Sequence, residues 1–198
     1  MDVNISPIIQ ASELLKLYKS DNTVLIDVSN GKNAKSNYDT KHLEGAIFVN
    51  LNTQLAKIED DLSIGGRHPL PKIDTFAETL SDLGISNKSH VIIYDDQNGS
   101  NAAVRFWWIL KSIGHEKVQV LNGGIQEAEK ANFPIRSKTE FPKKAELYKV
   151  DNWKLLIAEI DEVEKVSQTE NHIVIDVRDA QRYKGEIEPI DLIAGHIP

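Results

Sequence analysis

One stretch, residues 90–124, constrains the fold more than any other: HVIIYDDQNGSNAAVRFWWILKSIGHEKVQVLNGG. Val91-Ile92-Ile93-Tyr94 is a β-branched and aromatic run of strand length. Residues 95–100 are turn chemistry, Asp-Asp-Gln-Asn-Gly-Ser. Asn101 is placed to cap a helix over residues 102–113, and Gly114 to end it. Val118-Gln119-Val120-Leu121 gives a second strand before Gly123-Gly124. Strand, loop, helix and strand make a βαβ unit, so the two strands should be parallel neighbours. The helix is apolar nearly all round, from Ala102 through Phe106, Trp107 and Trp108 to Ile113, which predicts burial. Its N-terminus meets a strand's carboxyl end, where open α/β sheets bind anions. Yet the loop holds no cysteine and carries two acids, Asp95 and Asp96. The frame suits a nucleophile loop; the chemistry does not.

The flanking pattern is of the same kind. A short helix opens at Ala11 or Ser12, Val24-Leu25-Ile26 is a strand ending at Asp27, and Ile47-Phe48-Val49 is the next. A stiff loop at 65–71 leads to a helix with Phe76, Leu80 and Leu83 on one face, with Thr75 and Glu78 as a capping box. Residues 125–131 form a last helix. The 198 residues carry a net charge of −7, which argues against nucleic acid as a partner. No apolar run approaches the ~18 residues of a membrane span. The first residues lack a basic segment followed by an apolar one, so a cytoplasmic location is expected. With no cysteine in the chain, neither disulfides nor a thiol nucleophile can come from these residues.

An internal repeat then shows. Val24-Leu25-Ile26-Asp27-Val28-Ser29 matches Ile173-Val174-Ile175-Asp176-Val177-Arg178, and Lys41-His42-Leu43-Glu44 matches Gly195-His196-Ile197-Pro198. Between the copies, 137–150 reads as a linker. Residues 155–160 can be a strand, and Asp161 with Glu164 reads as a capping box for a helix through Ser167. The expected organisation is a first domain at 1–136, a linker at 137–150 and the start of a second copy at 151–198. The second copy has no counterpart of 90–124 within the chain, so a fragment of a two-domain protein is expected.

These residues resemble the tandem rhodanese family, the thiosulfate and 3-mercaptopyruvate sulfurtransferases. The marks are His-Pro-Leu-Pro at 68–71, Tyr94-Asp95, Arg105-Phe106-Trp107-Trp108, Gly114-His115, residues 120–124 and Gly195-His196-Ile197-Pro198. Each is weak alone; their order and spacing are specific. The resemblance implies an α/β fold: a rhodanese-like parallel sheet with helices on both faces, one complete domain plus the start of a second. It implies that Asp95 stands where an active copy carries its nucleophilic cysteine, and that this cysteine lies beyond Pro198. It implies persulfide chemistry on a small anionic sulfur substrate, without a cofactor or a metal. Arg182, in Gln181-Arg182-Tyr183-Lys184-Gly185-Glu186 followed by Glu188-Pro189, matches the family's anion-binding segment and is the expected substrate contact. The mercaptopyruvate branch usually carries another arginine after Glu-Pro; here Ile190-Asp191 stand, which favours thiosulfate.

Plainer readings compete. Arg182 on residue type alone is a solvated loop arginine. His42 and His196 sit in two copies of one turn, which argues against a metal pair. Asp27 and Asp176 at strand ends can hold the following loop by backbone hydrogen bonds. Asp95 and Asp96 have few partners for a cation. A cysteine-free rhodanese-like module that binds a partner and does no chemistry is the rival function. Oligomeric state is not legible.

Overall fold

The computed structural model describes residues 5–61 and 66–196. Gly65 of the stiff loop, and Ile197 and Pro198 of the second repeat, lie outside the described residues. The chain divides into two units, Met1–Leu155 and Leu156–Pro198, and each is taken by itself.

The first unit is built on a parallel sheet. Its strands are β1 (Ile8–Ile9), β2 (Thr23–Asp27), β4 (Ala46–Phe48), β5 (His90–Tyr94) and β6 (Val118–Leu121), in the order β1-β6-β5-β2-β4. As the βαβ pattern requires, β5 and β6 are adjacent and parallel, in register Val91 with Val118 and Ile93 with Val120. An antiparallel pair not visible in the sequence, β3 (His42–Leu43) with β7 (Ile135–Arg136), ties the turn after β2 to the segment leaving the last helix.

Side-chain alternation along the strands assigns two faces. Ile26, Val91 and Ile93 pack with α4 (Ile73–Asp82) and α5 (Ala102–Ser112); Leu25, Ile92 and Tyr94 pack with α1 (Ala11–Leu17) and α6 (Gly124–Lys130). Helices therefore cover both faces, which is why the central strands carry unbroken apolar runs, Val24-Leu25-Ile26 and Val91-Ile92-Ile93. The remaining helices here, α2 (Ala34–Thr40) and α3 (Leu51–Gln54), follow β2 and β4.

Three capping expectations fail. The N-cap of α4 is Lys72, two residues before the helix reaches Asp74, so Thr75 and Glu78 lie inside the helix rather than at its entry. The same happens in α7 (Ile160–Ser167), capped at Glu159, where Asp161 lies in the first turn. Asn101 makes no side-chain cap on α5; an acid upstream does this, as described below.

Residues 137–155 belong to the first unit rather than dangling as a bare linker. Ala145 N–H donates to the Ser81 carbonyl (2.9 Å) and Tyr148 N–H to Ser81 Oγ (2.8 Å). Asn87 and Lys149 exchange two hydrogen bonds of 2.9 Å. Trp153 stacks on Phe76 at 6.5 Å between centroids. Tyr148 Oη lies 2.7 Å from Nδ1 of buried His115, whose Nε2 meets the Ser89 carbonyl at 3.0 Å. Burial holds the His115 imidazole below its usual pKa, consistent with a neutral ring donating to Ser89 and accepting from Tyr148.

The second unit contains α7 and α8 (Ala180–Tyr183). Neither 155–160 nor 173–175 forms a strand: residues 156–159 and 173–175 carry no regular secondary structure, and Ile160 opens α7. A strand is a paired object, and the described residues of this unit offer 173–175 no neighbour.

Candidate functional site

The loop after β5 is organised by one side chain. Asp95, 1% exposed, sits at the end of the strand with its carboxylate turned back into the loop. Oδ1 accepts from the N–H groups of Gln97 (2.9 Å) and Gly99 (2.8 Å); Oδ2 accepts from Asn101 (3.1 Å) and Ala103 (3.1 Å). Four backbone donors thus converge on one anion, two of them at the start of α5. Asp95 caps that helix from upstream and takes the favourable interaction with its dipole. The loop needs left-handed backbone at Asn98 (φ 59°) and Gly99 (φ 77°), a conformation asparagine and glycine tolerate. It lies so close to the turn after β6 that a Cβ on Gly124 would stand 2.4 Å from the Asp95 carbonyl oxygen. Gly124 therefore serves close approach.

This is the geometry of an anion cradle occupied by the chain's own carboxylate. A thiolate at the same place would receive the same N–H groups and helix terminus, the environment that lowers a thiol's pKa. The described residues hold no gathering of three or more His, Cys, Asp or Glu side chains fit for a metal ion.

Beside the loop, over the carboxyl ends of β2 and β5, is a cavity of about 300 Å³. Its lining includes Asp27, Asp96, Lys41 and Gln126. Asp27 is 2% exposed and accepts from Ser29 N–H (2.8 Å), the loop-holding role expected of it. Burial pushes its carboxyl above the usual range, and the Asp96 charge adds to this against hydrogen bonds from Ser29 and Tyr94. Tyr94 is held well above its ordinary pKa by burial and the nearby Asp27 charge.

Residues 10–131 match the model of the rhodanese-like domain. The chain belongs to the rhodanese-like domain family. It is 31% identical over 168 residues to the thiosulfate sulfurtransferase of Gallus gallus, covering 84% of this chain and 56% of that protein. It is 30% identical over 171 residues to the 3-mercaptopyruvate sulfurtransferase of Homo sapiens, covering 85% and 56%. Among solved structures, the 3-mercaptopyruvate sulfurtransferase from Leishmania major superposes with a TM-score of 0.82 at 25% identity, over 96% of this chain and 52% of that one. The chain thus spans about half the length of these sulfurtransferase relatives. No helix among the described residues is long and apolar enough to cross a membrane.

The second unit carries Arg182. Its guanidinium pairs with Glu188, Nη2 lying 2.9 Å from both carboxylate oxygens and Nε 3.3 Å from Oε2. Burial works to raise the Glu188 pKa; hydrogen bonds from Arg182 and from the Asp191 and Ile190 N–H groups outweigh it and bring it down to about 2. Arg178 binds Asp176 through Nε and Nη2 and donates to the Gly195 carbonyl (2.8 Å). Both arginines reach the same acid, since Arg178 Nη1 stands 3.7 Å from Glu188. The sequence points to Arg182 and places Glu188 close after it, but nothing in the spacing pairs the two. Asp96 is weighed in the sequence only as a cation contact with few partners; Gln126, which lines the same cavity, is not singled out, because α6 carries no motif that points there.

Proposed function

We propose that these residues belong to a thiosulfate-type sulfurtransferase, which moves sulfane sulfur from thiosulfate to a thiophilic acceptor through a cysteine persulfide. The observation that carries this reading is the cradle: four N–H donors ordered around one anion at a helix N-terminus, in a member of the rhodanese-like family. In this unit the anion is Asp95, a carboxylate that cannot accept sulfur, so the first domain is non-catalytic. The chain contains no cysteine, so residues 1–198 alone do not turn over thiosulfate and the nucleophile comes from other polypeptide. Residues 151–198 are the beginning of the catalytic copy, and Arg182 is its contact to the substrate anion. Two of its nitrogens face Glu188, and Nη2 also stands 3.6 Å from Asp191; this pairing orients the fork. The site of action is cytoplasmic. The absence of arginine at residues 190–191 favours thiosulfate over mercaptopyruvate. The lack of any cysteine is also what a rhodanese-like binding module would show, and this is the second reading.

Replacing Asp95 with cysteine tests the cradle directly. The Asp95→Cys chain should carry a thiol with a pKa below the ordinary ~8.5 and should form a persulfide with thiosulfate, detected by mass spectrometry, while the native chain forms none. A thiol of ordinary pKa that stays unmodified would favour the binding-module reading. In a polypeptide that supplies the native nucleophile, Arg182→Leu should lower kcat/KM for thiosulfate by roughly tenfold to a hundredfold, the effect of losing one charged hydrogen-bonding partner. Steady-state kinetics would show it, and an unchanged value would return Arg182 to a purely structural pairing with Glu188.

A further inference from the structure

The chain contains three Asn-Gly pairs, Asn30-Gly31, Asn98-Gly99 and Asn122-Gly123. Asparagine before glycine carries a latent reaction. The glycine nitrogen has no neighbouring side chain to shield it and can reach the asparagine amide carbon, one source of the thermal lability of asparagine. The attack needs that nitrogen exposed and unengaged, and an asparagine side chain free to turn. The three pairs differ in both respects. Gly99 is buried, and its N–H is held by Asp95 Oδ1 at 2.8 Å. Asn98 is therefore followed by a nitrogen that cannot attack without breaking the cradle. Asn122 donates its amide to Gln10 Oε1 at 3.1 Å, and the Glu127 side chain lies against Gly123. Asn30 and Gly31 are exposed, in the turn between β2 and α2. Neither the Asn30 amide nor the Gly31 N–H has a hydrogen-bond partner among the described residues. Beyond its chain neighbours, no atom lies within 4 Å of where a Gly31 Cβ would stand, and its φ of 114° is one that glycine adopts readily.

We propose that Asn30-Gly31 is a self-modification site, where the chain converts its own asparagine into an aspartyl or isoaspartyl residue with water as the co-reactant. The Gly31 nitrogen attacks Asn30 Cγ; the Cγ–Nδ2 bond breaks, and Nδ2 leaves as ammonia with the proton given up by Gly31. The product is a cyclic succinimide, which water then opens. Breaking the new bond between Gly31 N and Cγ leaves aspartate. Breaking the original peptide bond leaves isoaspartate, in which the main chain runs through Cβ. Nothing is oxidised or reduced. Either product puts a carboxylate on the residue after Ser29, which lines the cavity over β2 and β5. The isoaspartyl form does more. The Gly31 carbonyl accepts from Ala34 N–H at 3.1 Å at the entry to α2, and an added backbone carbon just before it shifts that turn. α2 carries Tyr38, whose hydroxyl donates to the Ala46 carbonyl at 2.6 Å and whose ring stacks on His42. The modification is a slow chemical change in a loop at the carboxyl end of the sheet, timed by the age of the chain rather than by an enzyme.

Incubation of the 198-residue chain in heavy-oxygen water at neutral pH, followed by tryptic mapping with mass spectrometry, tests this. The three asparagines fall in separate peptides, residues 20–32, 89–105 and 118–130. In urea, with the chain unfolded, all three should convert at similar rates. In the native chain Asn30 should stay close to its unfolded rate. Asn98 should be slowed roughly tenfold to a hundredfold, the effect of one hydrogen bond to a charged acceptor, and Asn122 roughly twofold to tenfold, the effect of a neutral one. Asp95→Ala should release the Gly99 nitrogen and raise the Asn98 rate about tenfold or more while leaving Asn30 unchanged. Gln10→Ala should raise the Asn122 rate alone, which keeps the test open should the Asp95 variant fail to fold, checked by circular dichroism. The isolated isoaspartyl form should lose amide-exchange protection in α2. Native Asn98 or Asn122 converting as fast as Asn30, an Asn30 rate far below its rate in urea, or a folded Asp95→Ala chain with Asn98 still slow would overturn the proposal.

Discussion

The turn after β2 and the turn after residues 173–175 are made from the same side chains in opposite surroundings. In the first, Ser29 N–H donates to Asp27, and His42 stacks on Tyr38 at 4.0 Å with Nδ1 2.6 Å from the Tyr38 carbonyl. In the second, Arg178 N–H donates to Asp176, and His196 stacks on Tyr183 at 4.1 Å with Nδ1 2.7 Å from the Tyr183 carbonyl. The Asx turn and the histidine lock are therefore local properties, carried by residues close in sequence. The strand before them is not. Ile26 lies between two parallel neighbours and is fully buried, whereas Ile175, its counterpart, is 77% exposed and Val177 is 92% exposed. Side chains can hold a turn alone; a parallel strand needs partners on its flanks, and those come from distant sequence.

The sharpest test of that contrast is a matched truncation. Ile26→Ala should cost the first unit about 2–5 kcal/mol, the usual range for a large-to-small core change. Urea unfolding followed by tryptophan fluorescence reads this unit, since Trp107, Trp108 and Trp153 all lie in it. Ile175→Ala should change the protection of α7 in amide hydrogen exchange by less than about 0.5 kcal/mol. Comparable losses at both positions would break the comparison.

Next in size is Asp95. Asp95→Ala strips the acceptor from four backbone donors and should cost about 1.5–3 kcal/mol in the same fluorescence assay. Asp95→Asn, which keeps one oxygen, should lose less. A variant as stable as the native chain would mean that water replaces the carboxylate without loss.

The smallest effect is in titration. Asp27 is shifted up by burial, whereas Asp176, held by Arg178, is brought down to about 2. On acidification Asp27 should take its proton first. The signs for stability are opposite. The Asp27 contribution is present below the ordinary 3.8 and is lost as pH rises through its raised pKa. The Asp176 contribution is present above 3.8 and is lost as pH falls towards 2. Carboxyl-carbon NMR across the acid range would show the order, and the reverse order would refute the difference in environment.

What could be read from the amino acids follows the same division. The β5–α5–β6 unit was legible because its strand, turn and all-round apolar helix are contiguous. The pairing of His42 with Arg136 was not, because two-residue strands have no periodicity and their partners are far apart in the chain. The two misplaced capping boxes are short patterns that occur inside helices as readily as at their ends. Asp95 is chemically out of place by residue type, but its hold on Ala103 N–H depends on how the loop folds back, which no residue spacing specifies.

The segment that carries Tyr148 and Trp153 across the first unit also sets an order of events during synthesis. Chains emerge from their N-termini, and domains close as units when their last required contact becomes available. A nascent chain that has reached residue 136 has every strand of the sheet, yet the Phe76 ring has no Trp153 above it, and His115 has no hydroxyl to accept from. The seam along α4 stays open until residues 145–154 have left the ribosome. A translational pause in that interval would therefore expose apolar surface to chaperones, on a domain whose sheet is already complete.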